Sequence, residues 1–167
     1  MIEIREAAEL TPAEYVQLAE LIVTVVNDGA SIGYLPPMAL ADADAYWHSV
    51  LGPNRVLLLA EEAGQIVGSA QLFLEPRPNG DHRAEVAKVM VHPTARRRGL
   101  GRALMQRLEE IARRNDRTLL VLDTRDGDPS NLLYQSLGFV EAGKIPNYCR
   151  SEKGGFDATV VYYKQLA

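Results

Sequence analysis

A short run of arginines and glycines offers the clearest chemistry in the chain. It reads Arg96-Arg97-Arg98-Gly99-Leu100-Gly101-Arg102 and stands between an apolar strand pattern and an amphipathic helix pattern. A strand that turns directly into a helix points consecutive backbone N–H groups at one spot, where the positive end of the helix dipole also lies. Gly99 and Gly101 carry no Cβ, so an oxygen anion can approach the backbone. The segment is therefore predicted to bind a pyrophosphate.

Two common phosphate-binding motifs do not describe this segment. A nucleoside-triphosphate loop needs a Lys-Ser/Thr pair, and a dinucleotide fingerprint needs a third glycine after Gly101; both are missing. Two other interpretations stay open. In the first, the arginines are solvated beside a tight turn. In the second, they form a nucleic-acid patch, but the chain is acidic and has no aromatic residues between the arginines, which argues against this interpretation.

The elements that must position this segment follow from hydrophobic period and turn residues. Apolar residues at helical spacing between 100 and 112 predict the helix after the turn, and Thr11-Pro12-Ala13-Glu14 predicts a capped helix start. Two glycines and two prolines predict a loop at 28–37. The other predicted elements are strands at 2–6, 55–61, 65–74, 83–92, 118–124 and 159–163, helices at 11–27, 39–51 and 130–137, and an exposed loop at 146–155. This order predicts one mixed α/β domain over residues 1–167.

Composition excludes several classes of protein. Eighteen basic and 22 acidic residues give a formal net charge of −4, so nothing attracts the whole chain to nucleic acid or an anionic membrane. The N-terminal residues lack the pattern of a secretory signal, and no apolar run reaches the length of a membrane span. Cys149 is the single cysteine, and no Cys or His pairs stand at zinc-binding spacing. We expect a cytoplasmic protein without a metal.

Two motifs resemble the GNAT superfamily of N-acetyltransferases. Arg96, Gly99 and Gly101 match its Gln/Arg-x-x-Gly-x-Gly/Ala signature, and Leu-Tyr-Gln-Ser-Leu-Gly-Phe at 133–139 matches its Leu-Tyr-x-x-Leu-Gly-Phe segment. The resemblance implies a central, mostly antiparallel twisted sheet flanked by helices. It also implies that acetyl-coenzyme A is the co-substrate, with its pyrophosphate at residues 96–102.

The same resemblance implies roles for three further residues. Tyr134 is expected near the coenzyme sulfur, where a phenol can donate a proton to the leaving thiolate. A backbone N–H of Met90 or Val91 is expected to polarise the acyl oxygen. The alternative for Tyr134 is a core tyrosine that serves packing and one hydrogen bond.

Shorter stretches resemble the tabtoxin-resistance acetyltransferases of that superfamily. They are residues 29–34, 82–86, 122–124 and 143–148. This resemblance implies that Glu85 and Asp123 take the acceptor's proton, directly or through water. On the residues alone, Glu85 is equally a solvated or ion-paired strand acid, and Asp123 a strand-end cap. Tyr34, in the 28–37 loop, is a candidate acceptor contact together with Glu85, or else it anchors the loop.

The sequence departs from the superfamily pattern at one position. Gly127 replaces the asparagine that often contacts the pantetheine, seven residues before Tyr134, and Asn131 lies only three residues before it. Cys149 has no local context that would activate it as a nucleophile.

The expected activity is acetyl transfer from acetyl-coenzyme A to an amine or hydroxyl of a small molecule. A tabtoxin-like β-lactam and an amino-acid-like compound are the named candidates. Acetylation of protein lysines and a coenzyme A-binding regulatory module without turnover are the alternatives. Neither nucleic acid nor membrane is expected as a partner, and a homodimer is left open.

Overall fold

A seven-stranded sheet with helices packed on both faces organises the chain, and the computed structural model describes residues 1–167. The elements are β1 (Ile2–Glu6), α1 (Pro12–Asn27), α2 (Leu40–Trp47), β2 (Arg55–Glu62), β3 (Gln65–Leu74), β4 (Arg83–Val91), a 3₁₀ turn (Pro93–Ala95), α3 (Leu100–Arg114), β5 (Leu119–Arg125), α4 (Ser130–Ser136), β6 (Val140–Arg150) and β7 (Phe156–Gln165). None of the four α-helices has both the length and the hydrophobicity that a bilayer span requires.

The sheet is almost entirely antiparallel. Its strand order is β1-β2-β3-β4-β5-β7-β6, and β4 with β5 is the one parallel pair. The β2–β3 hairpin turns through Ala63 and Gly64, both at positive φ (50° and 77°), which suits the twist of the flanking strands. The predicted mixed, mostly antiparallel sheet is therefore confirmed.

Two hydrophobic clusters fill the two faces of the sheet. One contains 21 buried residues and includes the apolar stripe of α3 together with Tyr134 of α4. The other contains 15 buried residues and includes the apolar faces of α1 and α2, with Trp47 fully buried. The stripe of α3 follows from its sequence, because Leu100, Leu104, Leu108 and Ile111 recur at helical spacing.

The first helix starts as the sequence predicts. The backbone N–H of Glu14 donates to Thr11 Oγ1 at 3.3 Å, and the N–H of Thr11 donates to Glu14 Oε2 at 2.6 Å. This capping box, with Pro12 at the first helical position, satisfies donors that the first turn would leave free. The helix ends at Asn27, and the 28–37 loop follows without regular structure, as predicted.

The prediction of a loop at 146–155 is wrong for its first half. Strand β6 continues to Arg150, and residues 151–155 alone form the turn into β7. The pairing register of β6 with β7 shifts between Ile145 and Cys149, a stretch that includes Pro146. Because β6 is the edge strand, a proline without an N–H can be bulged out there without breaking the sheet.

Candidate active site

The turn between β4 and α3 presents a row of free backbone donors. From Arg97 to Arg102, no backbone N–H donates to an acceptor within the protein. Gly99, the N-cap of α3, has φ of 79°, and a Cβ placed on it would meet nothing within 4 Å. The backbone is therefore open to a ligand, and an anion with several oxygens suits consecutive N–H groups at a helix N-terminus.

A groove of about 610 Å³ lies over this turn, and we call it the basic groove. Four arginines and two aspartates are its charged lining, so its net charge is positive. Its lining is Val25, Asp28, Gly29, Ala30, Val89, Met90, Val91, Ala95, Arg96, Arg97, Gly99, Leu100, Gly101, Arg102, Arg125, Asp128, Pro129, Ser130, Leu133 and Tyr134. All but one of the residues predicted to hold the cofactor are in this set.

The exception is Arg98, which points away from the basic groove. Its guanidinium donates twice to Glu62 at the end of β2, at 2.9 and 2.6 Å. Arg96 lines the groove, but its Nη1 is paired with Asp28 and its Nε donates to the Val91 carbonyl at 3.2 Å. Arg97 and Arg102 are the two arginines of the turn that line the groove without an ion pair.

Strands β4 and β5 separate next to this turn. They pair in register only from Arg83 to Glu85, and the ladder stops where Glu85 lies opposite Val121. The pairing of β4 with β3 is also irregular, because Ser69 lies opposite Met90 while Gln71 lies opposite Ala87. This bulge contains Lys88, whose φ is 53°. The parting of two neighbouring strands opens the sheet at its centre.

The bulge reverses the alternation of β4, so that side chains after it point to the opposite face of the sheet from the one that regular alternation would give. Val86 belongs to the cluster under α3, whereas Met90, four residues later, belongs to the cluster under α1 and α2. In a regular strand both would share one face. Val89 and Val91 pack against the α3 cluster instead. The inserted residue thus aims Lys88 toward the 28–37 loop, where its Nζ donates to the Ile32 carbonyl at 2.6 Å.

A second cavity of about 380 Å³, the polar cavity, lies on the other side of this opening. Glu85 of β4 and Asp123 of β5 line it, and the 28–37 loop forms another wall with residues 30–33. Asp123 is oriented by Thr159, whose hydroxyl lies 2.7 Å from Asp123 Oδ2 and 3.0 Å from the Thr124 carbonyl and shares its one proton between these acceptors. The two carboxylates that the sequence singled out therefore face one space.

Tyr134 of α4 lines both the basic groove and the polar cavity. The residue is 7% exposed, and its hydroxyl makes no hydrogen bond within the protein. The hydroxyls of Tyr46 and Tyr162 are bonded, to Gln71 and Asn131 respectively, each at 2.8 Å. Burial, with smaller contributions from Asp128 and Asp123, raises the pKa of Tyr134 to about 12. This phenol is a proton donor at neutral pH.

Tyr34 does not line the polar cavity. Its ring packs edge-on against Tyr46 at 5.8 Å between centroids. The Tyr46 ring in turn lies 5.9 Å from the ammonium of Lys88, which does line the cavity. Tyr34 was expected to contact the acceptor, but it packs behind the residues that line the polar cavity.

Sequence reasoning missed much of the boundary between the two cavities. The residues that line both are Ala30, Val89, Arg125, Asp128, Ser130 and Tyr134, and only the last was predicted. Arg125 donates to Asp128 Oδ1 at 2.7 Å and to the Gly29 carbonyl at 2.9 Å, so it fastens the loop beside the boundary. A signal existed for Lys88, because a lysine at a position that alternation assigns to the apolar face of β4 indicates a bulge.

The arrangement brings together the requirements of acyl transfer. A row of free backbone N–H groups, an unbonded phenol and two carboxylates line two cavities that share six lining residues. The side chains of the protein include no group of three or more His, Cys, Asp or Glu residues that could hold a metal ion.

Known proteins share this architecture. A GCN5-related N-acetyltransferase from Kribbella flavida superposes with a TM-score of 0.81 at 27% identity, over 99% of this chain and 98% of that one. The yncA protein of Salmonella typhimurium, a putative acetyltransferase whose structure includes its cofactor acetyl-CoA, gives 0.81 at 24% identity, over 100% and 95%. The second likeness concerns the fold alone.

One curated relative is an uncharacterized N-acetyltransferase encoded in the hisH-hisA intergenic region of Azospirillum brasilense. It is 38% identical over 104 residues, which are 60% of this chain and 62% of the relative. The match thus spans about three fifths of the length of that relative. The model of the Acetyltransferase (GNAT) family matches residues 20–139, which include the basic groove's turn, the parted strands and Tyr134. Sequence and architecture agree, and the chain belongs to the GNAT acetyltransferase family.

Proposed function

We propose that this protein transfers the acetyl group of acetyl-coenzyme A to the amino group of a small polar molecule. The observation that carries the proposal is Tyr134, a residue only 7% exposed whose hydroxyl makes no hydrogen bond within the protein and which lines both the basic groove and the polar cavity. A tyrosine kept only for packing would normally find a hydrogen-bond partner for its hydroxyl.

The basic groove suits the coenzyme. Its pyrophosphate would lie on the free N–H groups of residues 97–102, with Arg97 and Arg102 beside it. A Cβ on Gly101 would come within 3.2 Å of Leu133, so the turn packs closely against α4. The thioester supplies the acetyl group and a thiolate leaving group. Backbone from Val89 to Val91 would border the pantetheine, with the Met90 or Val91 N–H as the candidate partner of the acyl oxygen.

Tyr134 would protonate the departing thiolate. Its pKa of about 12 keeps the phenol protonated throughout the neutral and mildly alkaline range, so the acid is present whenever the enzyme works. The nearby carboxylates of Asp128 and Asp123 further disfavour the phenolate. Tyr134 would recover its proton from solvent through the polar cavity.

Glu85 and Asp123 would prepare the acceptor. Two carboxylates in one cavity attract an ammonium ion, and either can accept a proton from it directly or through water. Thr159 fixes the orientation of Asp123, which leaves Glu85 as the less constrained of the two. The free amine then attacks the thioester carbonyl, the C–S bond breaks as the amide forms, and the second proton of the attacking nitrogen passes to the other carboxylate or to water.

The size of the polar cavity favours a small acceptor. Its volume of about 380 Å³ is near the low end of small-molecule sites. An amino-acid-like compound fits this space, and the tabtoxin-like β-lactam suggested by the shorter sequence stretches is one member of that class. The acetylation of a lysine in a protein is the alternative that the experiment must exclude.

Release of free thiol from acetyl-coenzyme A tests the proposal. The protein would be mixed with acetyl-coenzyme A and a panel of amino acids, small amines and β-lactams, with a lysine-containing peptide as the competing acceptor and no acceptor as the control. Saturable thiol release with small amines, matched by acetylated product in mass spectra, is expected. Efficient acetylation of the peptide with no turnover of the panel would replace the proposal by the protein-lysine alternative.

A further inference from the structure

We propose that Lys88 binds a carboxylate on the acceptor, so that the enzyme selects zwitterionic amino acids over amines of the same shape without negative charge. This inference rests on the proposed function and names the chemical class of its acceptor. It assigns a specificity role to a residue outside both sequence motifs.

The position of Lys88 directs its ammonium into the polar cavity. The β4 bulge places the residue on the wall next to the 28–37 loop, and Nζ donates to the Ile32 carbonyl at 2.6 Å. That carbonyl is the one hydrogen-bond acceptor of the ammonium, which has three N–H donors. Two donors remain for a ligand, and the Tyr46 ring lies 5.9 Å from Nζ on another side.

The charged side chains of the polar cavity fall into two groups, those paired with each other and those available to a ligand. Arg125 and Asp128 already form a pair, at 2.7 Å, and need no ligand. Glu85 and Asp123 are carboxylates, and Lys88 is the cation of the cavity without an ion-pair partner. An acceptor with one ammonium and one carboxylate complements both kinds of charge at once.

The burial of Lys88 makes its interaction with a carboxylate of the acceptor favourable. Desolvation lowers the pKa of Lys88, while Asp123 and Glu85 oppose that change from a distance. A half-buried ammonium without a contacting anion is stabilised by a ligand carboxylate. A phosphate dianion matches less well, because its second charge would lie near Glu85 and Asp123 without a partner.

A purely structural role makes a different prediction. If Lys88 only fastens the 28–37 loop through Ile32, its removal affects every acceptor alike. If it binds a carboxylate, its removal affects only acceptors that carry one. Pairs of amino acids and their carboxamides separate the two roles, since each pair shares the same amine and side chain.

The experiment measures kcat/KM for a set of L-amino acids and their carboxamides with the wild type, Lys88→Met and the control Lys153→Met. Lys153 lies in the exposed 151–155 turn and lines neither cavity. We expect the wild type and the control to prefer the acids. In Lys88→Met the KM of the acids should rise about 10- to 100-fold, as expected for losing a hydrogen bond between charged groups.

The carboxamides should change little in Lys88→Met, and acetyl-coenzyme A affinity, measured by calorimetry, should stay at the wild-type value. Equal losses for acids and carboxamides would overturn the inference in favour of loop fastening. An unchanged preference for acids would overturn it as well. If the wild type acetylates amines without preferring acids, the Lys88 inference is wrong and the proposed function stands. If the wild type acetylates neither member of any pair, both the inference and the proposed function are wrong.

Discussion

The basic groove and the polar cavity are built in opposite ways. The part of the groove that we propose for the pyrophosphate is one continuous segment, residues 96–102, and its free donors are the backbone N–H groups of residues 97–102. The polar cavity takes side chains from β4, β5, β6, β7, α4 and the 28–37 loop, which are distant in sequence. A backbone site tolerates many side chains but not a change of chain path, whereas a side-chain site changes specificity with single substitutions.

Tyr134→Phe should give the largest loss of turnover, because Tyr134 lines both cavities and is the proposed proton donor. The ring is retained and the proton donor is removed, so kcat should fall about 10²- to 10⁴-fold while coenzyme binding persists. Calorimetry with acetyl-coenzyme A and steady-state kinetics measure the two quantities.

Tyr162→Phe is the matched control for this change. It removes a buried hydroxyl from the same cluster, one that donates to Asn131 and lines neither of the two cavities. The control should lose stability in a thermal melt and keep its turnover. Wild-type turnover in Tyr134→Phe, under conditions where chemistry limits the rate, would make Tyr134 a packing residue.

Gly99→Glu should remove the backbone site. Its φ of 79° opposes any side chain, and a carboxylate at that point repels the pyrophosphate and blocks its donors. Loss of two or more hydrogen bonds to a charged ligand corresponds to a decrease in affinity of about 100-fold or more.

Gly64→Glu separates the loss of the site from backbone strain. Gly64 has φ of 77° and open space around it, but it lies in the β2–β3 turn away from both cavities. Both variants should show similar melting temperatures, and only Gly99→Glu should lose coenzyme binding. Unchanged affinity in a folded Gly99→Glu protein would remove the pyrophosphate from this turn.

Glu85→Gln and Asp123→Asn should each reduce turnover by about 10- to 100-fold. This loss is smaller than the full contribution of a general base, because the remaining carboxylate can still take the proton. The double variant should then lose more than the product of the single losses. Coenzyme affinity should not change in any of the three, since neither residue lines the basic groove.

Asp126→Asn is the control for these carboxylates. Asp126 follows β5 directly and pairs with Lys144 at 3.1 Å outside the polar cavity. Its turnover should stay within about twofold of the wild type, as expected for a surface ion pair. A double variant equal to the product of the singles would show that Glu85 and Asp123 act on separate steps.

Asp28→Asn should give the smallest effect of these variants, and that effect should be an increase in acetyl-coenzyme A affinity. Asp28 places a negative charge in the basic groove and pairs with Arg96. Removing that charge should raise acetyl-coenzyme A affinity about two- to fivefold at low salt, and the gain should shrink as salt is added.

Glu62→Gln tests whether freeing any arginine of the turn has the same result. It releases Arg98, which does not line the groove, so affinity should stay near the wild-type value. A fall in affinity in Asp28→Asn would mean that Asp28 holds Arg96 in its binding position.

The sequence by itself determined the local parts of this protein. The capping box at Thr11, the β2–β3 turn, the apolar stripe of α3 and the glycine at its N-cap all follow from residues close in the chain. The turn at residues 96–102, proposed as the pyrophosphate site, belongs to this group, because its free N–H donors come from one continuous segment. The predicted loop at 146–155 shows the limit, since residues 146–150 instead extend β6 by pairing with β7, and a bulge in β6 accommodates Pro146.

Only the tertiary structure decided which side chains meet. One extra residue in β4 turns Val86 and Met90 to opposite faces and aims Lys88 into the polar cavity. A long-range ion pair with Glu62 draws Arg98 away from the groove, and where β4 parts from β5 the two cavities share Tyr134 in their linings. A local pattern cannot encode these outcomes, because strand register and the partner of each charge depend on contacts between segments far apart in the chain.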